Sequence, residues 1–309
     1  MMETKRRPLT AKHGIILSII LASLLLAGIA FVILRTPPAY DGKPGNKAGQ
    51  KCMNPRDTAV MVWVPAGPFL MGSAETDPDA FPNEKPQHLV TLDGYWIYQN
   101  DVTVAQYKAY CAATGKEMPV APAWDWKDTH PMVNVTWDEA NAYAKWAGAH
   151  LPSEAQWEKA ARGMDGRRYP WGNSWDAAKC NNFMLHRPTV MVMSRFQERL
   201  LKFLRIQSLR SVGTMPAGSY PAGASPYGCL DMAGNVWQWC EDWHGSDYYK
   251  ISPAKNPKGL EDGQGRVVHG GSWVDSPAAF FRCARRLDYV PGLATSRLGF
   301  RCVVSSPGQ

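Results

Sequence analysis

Four carboxylates and one hydroxyl lie in the glycine-rich C-terminal part of the chain, where residue types suited to acid–base chemistry gather. They are Asp231, Glu241, Asp242, Asp275 and Ser272. Ser272 and Asp275 follow the glycine pair Gly270-Gly271. A carboxylate becomes a useful base when burial or a neighbour raises its pKa, so these acids form a reaction centre only if the fold brings them together and desolvates them. The seven histidines (13, 88, 130, 150, 186, 244, 269) include no pair at helical ligand spacing and no His-Glu-x-x-His motif. His269, beside the glycine pair, reads as a hydrogen-bonded strand residue. No Gly-x-Ser-x-Gly, phosphate-loop or dinucleotide fingerprint occurs. Seven cysteines (52, 111, 180, 229, 240, 283, 302) leave at least one thiol unpaired within the chain.

The elements that must hold these groups are short. Val60–Val64 and Leu89–Ile97 read as strands, with Pro65-Ala66-Gly67 as a turn. Three helices share one start signal: Thr103 with Gln106, Thr136 with Glu139, and Ser153 with Gln156 each spell a capping box. Gly115, Gly148 and Gly163 stand where those helices should end. Ala142, Tyr143, Trp146 and Ala147, and likewise Ala155, Trp157, Ala160 and Ala161, recur at helical spacing, which points to core packing. Residues 228–243 and 266–273 read as strands and turns around a glycine-rich centre. With 27 glycines, 24 prolines and 13 tryptophans, a loop-rich α+β fold is favoured over a helix bundle.

The N-terminus is a separate unit. Residues 1–13 form a basic tail, and residues 14–34 are 21 residues without a charge, closed by Arg35. At about 1.5 Å per residue that stretch can cross a hydrocarbon core of about 30 Å. It is predicted to be a signal anchor with its basic end cytoplasmic, a linker at 35–57, and an extracytoplasmic (periplasmic) domain at 58–305. A cleaved signal peptide is the alternative, with a weak site at Gly28-Ile29-Ala30, but the apolar run continues past it. Five basic residues against one acid in residues 1–35 contribute +4 of the net +7, which leaves +3 for the rest. That small charge gives no footprint for nucleic acid.

Residues 186–210 stand apart. Phe196, Leu200, Phe203 and Leu204 share one helical face, and Arg195, Glu198, Arg199, Lys202 and Arg205 the other. Six basic residues against one acid give the segment +5. It reads either as a helix packed on its own domain or as a cationic helix against an anionic membrane or a partner.

Several motifs in fixed order resemble the formylglycine-generating enzyme family, the sulfatase-modifying factor domain. They are FLMGS at 69–73, PQHLVTL at 86–92, DVTVAQY at 101–107, WDEANAYAKWAG at 137–148, LPSEAQWEKAARG at 151–163, YPWG at 169–172, GNVWQW at 234–239, GGSW at 270–273 and GFRC at 299–302. The resemblance spans about residues 58–304 and implies one compact α+β domain with C-type-lectin-like topology. In the oxidising members two cysteines after the GGS-aromatic turn bind copper, and a cysteine in a sulfatase Cys-x-Pro-x-Arg segment becomes formylglycine. Here the first of those positions falls on Asp275 and the second within Ala278–Phe280, so the thiolates that suit Cu(I) are missing. Ser272 matches the serine that lines the family's oxygen site. The resemblance also implies a structural calcium at Asp231, Gly234, Val236 and Gln238, where the family's terminal Asn and Glu have become Asp and Gln. A first calcium site would begin at Asn181 and Asn182, with its other ligands displaced by the basic segment. Cys283 and Cys302 match structural cysteines whose family partners fall on Ala144 and Ala161, which makes Cys240 the candidate partner for Cys283.

Two functions follow. The first is a membrane-anchored recognition or assembly module for an extracytoplasmic peptide or protein, calcium-stabilised and copper-free. The second is an enzyme with altered chemistry, similar to the family's siderophore-maturation branch, in which Asp275 or a neighbouring acid serves as base. Deleting residues 187–210 is expected to leave a single cooperative unfolding transition. Loss of that transition in a denaturant titration would show that the segment belongs to the core.

Overall fold

The computed structural model describes residues 36–184 and 213–305. The expected membrane span at 14–34 and the basic segment at 186–210 lie outside them. The chain divides into residues 1–38 and 39–309, and every element below belongs to the second unit. Among the described residues no helix is long and apolar enough to cross a membrane.

Among the described residues, ten short strands fall into three sheets. β1 (Lys51–Met53), β2 (Val60–Val64), β5 (Tyr95–Tyr98) and β10 (Val303–Ser305) form the first, antiparallel throughout. β3 (Gly67–Met71) and β4 (His88–Leu92) form a two-stranded ribbon. The third has the order β8 (Arg286–Tyr289), β7 (Arg266–His269), β6 (Trp237–Trp243), β9 (Leu298–Gly299), with β6 and β9 parallel. The run Leu89–Ile97, expected as one strand, is two strands in two sheets. It breaks at Asp93-Gly94 because Gly94 packs on the Trp63 ring, where any side chain would collide, and because Asp93 exchanges hydrogen bonds with Asn256. The folded unit also begins before Thr58. β1 and the bond from Tyr40 N–H to Met53 O lie within residues 35–57, the stretch that reads as a linker by composition.

The helices are α1 (Val104–Thr114), α2 (Trp137–Trp146) and α3 (Glu154–Arg162), and all three capping boxes form. Each cap is worth about 1 kcal/mol. α1 and α3 stop at Gly115 and Gly163, whereas α2 caps on Ala147, one residue before Gly148. The helical aromatics serve the core: Tyr143 and Trp157 are fully buried.

α3 is unusual in burying its charged residues as well as its apolar ones. Glu154, Glu158, Lys159 and Arg162 are all buried. Glu154 Oε1 accepts from Arg286 Nε on β8 at 2.6 Å and from His269 Nε2 on β7 at 3.1 Å, while Oε2 accepts from Arg286 Nη2 at 2.8 Å. The Glu154 backbone N–H donates to Asp242 Oδ2 on β6 at 2.7 Å. Glu158 accepts from Gly72 N–H and Arg162, which ties the helix to the end of β3. Lys159 Nζ donates to the Pro65 and Gly67 carbonyls, and burial pushes its pKa down to about 8. A further pair joins Glu84 to Arg282 through two short bonds.

Burial pushes the Glu154 carboxyl up, but Arg286 and the bond from His269 outweigh it and hold the pKa at about 2. A depressed pKa contributes stability that is complete above the ordinary value of 4.5 and lost as pH falls through about 2. Asp242, pushed up by burial and by Glu154, carries the opposite sign, and Glu154→Gln relieves part of that push as well, so the difference between wild type and Glu154→Gln contains both shares. Glu154→Gln is expected to cost about 3–5 kcal/mol at neutral pH, because it strands the Arg286 charge. That difference should shrink as the pH falls from 4.5 towards 2. A cost independent of pH in denaturant unfolding would contradict this assignment.

Candidate functional site

The loop that enters β6 is zipped against the turn that follows β7. Asp231, Gly234 and Asn235 all take positive φ (55°, 79° and 67°). Gly234 N–H donates to Gly270 O at 2.8 Å, and Trp273 N–H donates to Asn235 O at 3.0 Å. Gly271 has φ +74°, and a Cβ there would lie 2.7 Å from the Phe281 ring, so the turn requires glycine. It delivers a buried Ser272 and a half-buried Asp275.

Asp275 Oδ2 accepts three hydrogen bonds: from Ser272 N–H at 2.9 Å, Ser272 Oγ at 2.7 Å and Trp237 Nε1 at 3.0 Å. Its own N–H donates to Ser272 O, and its carbonyl accepts from Phe183 N–H at 2.9 Å. The carboxylate therefore locks a tight turn and joins it to β6, while the main-chain carbonyl ties it to Phe183. Half-buried aromatics pack against Trp273 and against the buried Trp237 that bonds Asp275. Trp124 and Trp273 stand edge to face at 5.4 Å, and Phe280 lies edge to face with Trp237 at 6.4 Å. Gly213 packs on the Trp124 ring. The described residues on either side of the basic segment, Phe183 and Gly213, thus both touch this rim.

The four acids read as one acid–base group do not converge. Asp231 accepts from Gly218 N–H, Asp242 caps α3, and Glu241 is exposed with His150 Nδ1 4.0 Å away. Each serves a different local bond because β6 carries Glu241 and Asp242 beyond the turn that holds Asp275. Among the described residues no three His, Cys, Asp or Glu are grouped to hold a metal.

Cys240 and Cys283 are not joined, and all seven cysteines are buried free thiols. Both belong to the same buried apolar cluster, where the backbone of Cys240 accepts from Trp137 Nε1 and that of Cys283 donates to Arg168 O. Burial pushes Cys52, Cys180 and Cys283 up to about 12 and raises the other four. A thiol in that state is a poor nucleophile at neutral pH.

The residues matched to a calcium site are brought together but already bonded. Gln238 Oε1 accepts from Trp157 Nε1 and from Arg301 Nε, both at 2.7 Å, and its Nε2 donates to Asp231 O at 2.7 Å. Gly234 O accepts from Val236 N–H. Asn181 and Asn182, where the other site would begin, hold neighbouring loops: Asn181 Nδ2 donates to Gly213 O and Asn235 Oδ1, and Asn182 Nδ2 to Ala177 O and Cys180 O.

His269 is a buried strand residue, stacked 4.6 Å from Trp157 and bonded to Glu154, as its position suggested. Sequence reasoning missed the buried pairs Glu154–Arg286 and Glu84–Arg282, and the donor role of Trp237. A charged residue on the polar side of a periodic helix reads as solvated, and only the repeated arginines 282, 285 and 286 hinted otherwise.

Three sheets, three capped helices and a glycine turn after β7 define a mixed α/β domain of the sulfatase-modifying factor type. Residues 47–306 match the sulfatase-modifying factor enzyme 1-like domain, and the chain belongs to that family. It is 33% identical over 315 residues to a formylglycine-generating enzyme of Streptomyces coelicolor, covering 86% of this chain and 94% of that protein. It is 34% identical to the serine/threonine-protein kinase pkn1 of Chlamydia caviae over 78% of this chain but 37% of that protein. Among solved structures, PvdO from Pseudomonas aeruginosa superimposes with a TM-score of 0.68 at 25% identity, over 84% of this chain and 99% of that one.

Seven buried thiols are expected to resist alkylation in the native protein and to react after unfolding without reductant. Five reactive thiols with a Cys240–Cys283 peptide in the non-reducing map would restore the disulfide.

Proposed function

We propose that this chain is a membrane-anchored, extracytoplasmic member of its family that recognises a peptide or protein segment at the aromatic rim around Asp275, without oxidising a cysteine. The observation that carries the reading is the three-donor lock on Asp275 Oδ2. The position that matches the first reactive cysteine of the oxidising relatives is occupied by a group that builds the turn. Trp124, Trp273 and Phe280 around it are half-buried, and such rings bury large apolar area at low entropic cost when a partner covers them. The uncharged stretch at 14–34 supplies the anchor.

A second reading has one observation in its favour. Ser272 Oγ donates to Asp275 Oδ2 at 2.7 Å, a hydroxyl–carboxylate pair of the kind that passes a proton. In an enzyme with altered chemistry, Asp275 would take a proton from a bound precursor, with Ser272 orienting it.

The test uses the full chain with a synthetic Cys-x-Pro-x-Arg peptide and its Cys→Ala counterpart, in the presence of copper and oxygen. Both peptides are expected to bind alike by tryptophan fluorescence, and hydrazide capture is expected to find no aldehyde. Trp273→Ala should weaken binding by about tenfold or more. Aldehyde in the cysteine peptide would overturn the reading. Conversion of any bound peptide that is abolished by Asp275→Asn would favour the second.

A further inference from the structure

The loop 231–238 has a closure problem. Asp231, Gly234 and Asn235 all hold positive φ, and the loop must still deliver Trp237 and Gln238 to β6. In the family pattern that resemblance supplies, a calcium ion draws such a loop together through oxygens contributed at both ends. The side chain at the far end here is an amide, and the orientation of that amide is forced. Trp157 Nε1 and Arg301 Nε can only donate, and each lies 2.7 Å from one atom of Gln238, which must therefore be the oxygen. Its lone pairs are then used. The other terminal atom is the NH2 group, and it donates to the Asp231 carbonyl at 2.7 Å, which closes the loop.

We infer that the Gln238 amide replaces the cation, so that the loop is stapled without calcium. The remaining groups agree with this. Asp231 is buried, and its Oδ2 accepts from Gly218 N–H at 2.7 Å. Gly234 O is engaged by Val236 N–H. A fixed positive charge stands beside Gln238: the fully buried Arg301 guanidinium, bonded to the Tyr98, Gln99 and Leu230 carbonyls and to Asp101. A divalent ion in the loop would meet an NH2 group where it needs an oxygen, and a guanidinium close behind it. A glutamate in the same rotamer would keep one oxygen on Trp157 and Arg301. Its second oxygen would face the Asp231 carbonyl, oxygen to oxygen, a repulsion that a cation relieves. The change from Glu to Gln and the loss of the ion are thus one event in physical terms.

The experiment compares thermal unfolding of the full chain in chelator, in calcium and in magnesium at equal ionic strength, together with equilibrium dialysis against calcium alone. Wild type is expected to show one Tm in all three and to retain no calcium. Gln238→Glu is expected to melt lower in chelator and to recover saturably with calcium but not magnesium, as a ligand of the folded state must do. If Gln238→Glu does not fold, Asp231→Asn/Gln238→Glu takes its place, with one carboxylate as in the family pattern. Stoichiometric calcium on wild type, with a matching rise in Tm, would overturn the inference. So would a glutamate variant as stable in chelator as wild type. Neither outcome bears on peptide recognition at Asp275, which is read by a separate assay.

Discussion

The buried pair of Glu154 and Arg286 is the constraint on which the rest of the domain depends. Two charges removed from water gain little net stability, because desolvation offsets most of their attraction. What they supply is intolerance of misalignment. Glu154 opens α3, Arg286 opens β8, and Asp242 on β6 receives the first backbone N–H of the helix. His269 on β7 joins the same carboxylate. Three strands of the third sheet are therefore registered against one helix terminus. A shift of one residue in β8 would strand the Arg286 charge in the interior, and a shift in β6 or β7 would break a buried hydrogen bond to the helix terminus.

That registration sets the geometry of the site. β6 begins where β7 ends, so the loop before one meets the turn after the other, and the glycine pair lets them approach closely. Asp275 then fastens the meeting point by binding Ser272 and Trp237 at one oxygen. In this chain the turn is stabilised by a carboxylate and the loop beneath it by an amide, each serving as a hydrogen-bond junction. The family scaffold does not by itself fix an activity, because function lives in the site that the scaffold holds.

Much of this was legible beforehand. The capping boxes at Thr103, Thr136 and Ser153 formed as their spacing required, because a cap is satisfied within four residues and needs no tertiary partner. The missing cysteines were equally plain. The single strand read over Leu89–Ile97 was not, because its break depends on the Trp63 ring from another strand. The pairing of Cys240 with Cys283 did not appear: the two share a buried apolar cluster as free thiols, and spacing along the chain does not fix connectivity.

Sequence by itself determined the family, the helix starts, the uncharged stretch at 14–34 and the absence of cysteine between Val274 and Arg282, because each rests on residue identity and short spacing. Tertiary structure decided what the polar residues do. Whether Asp275 is a base or a lock, and whether Gln238 offers its oxygen or its nitrogen, depends on donors 38 to 81 residues away or as near as Ser272. Burial makes those distant donors decisive, because a polar atom withdrawn from water must take the partner that the fold presents.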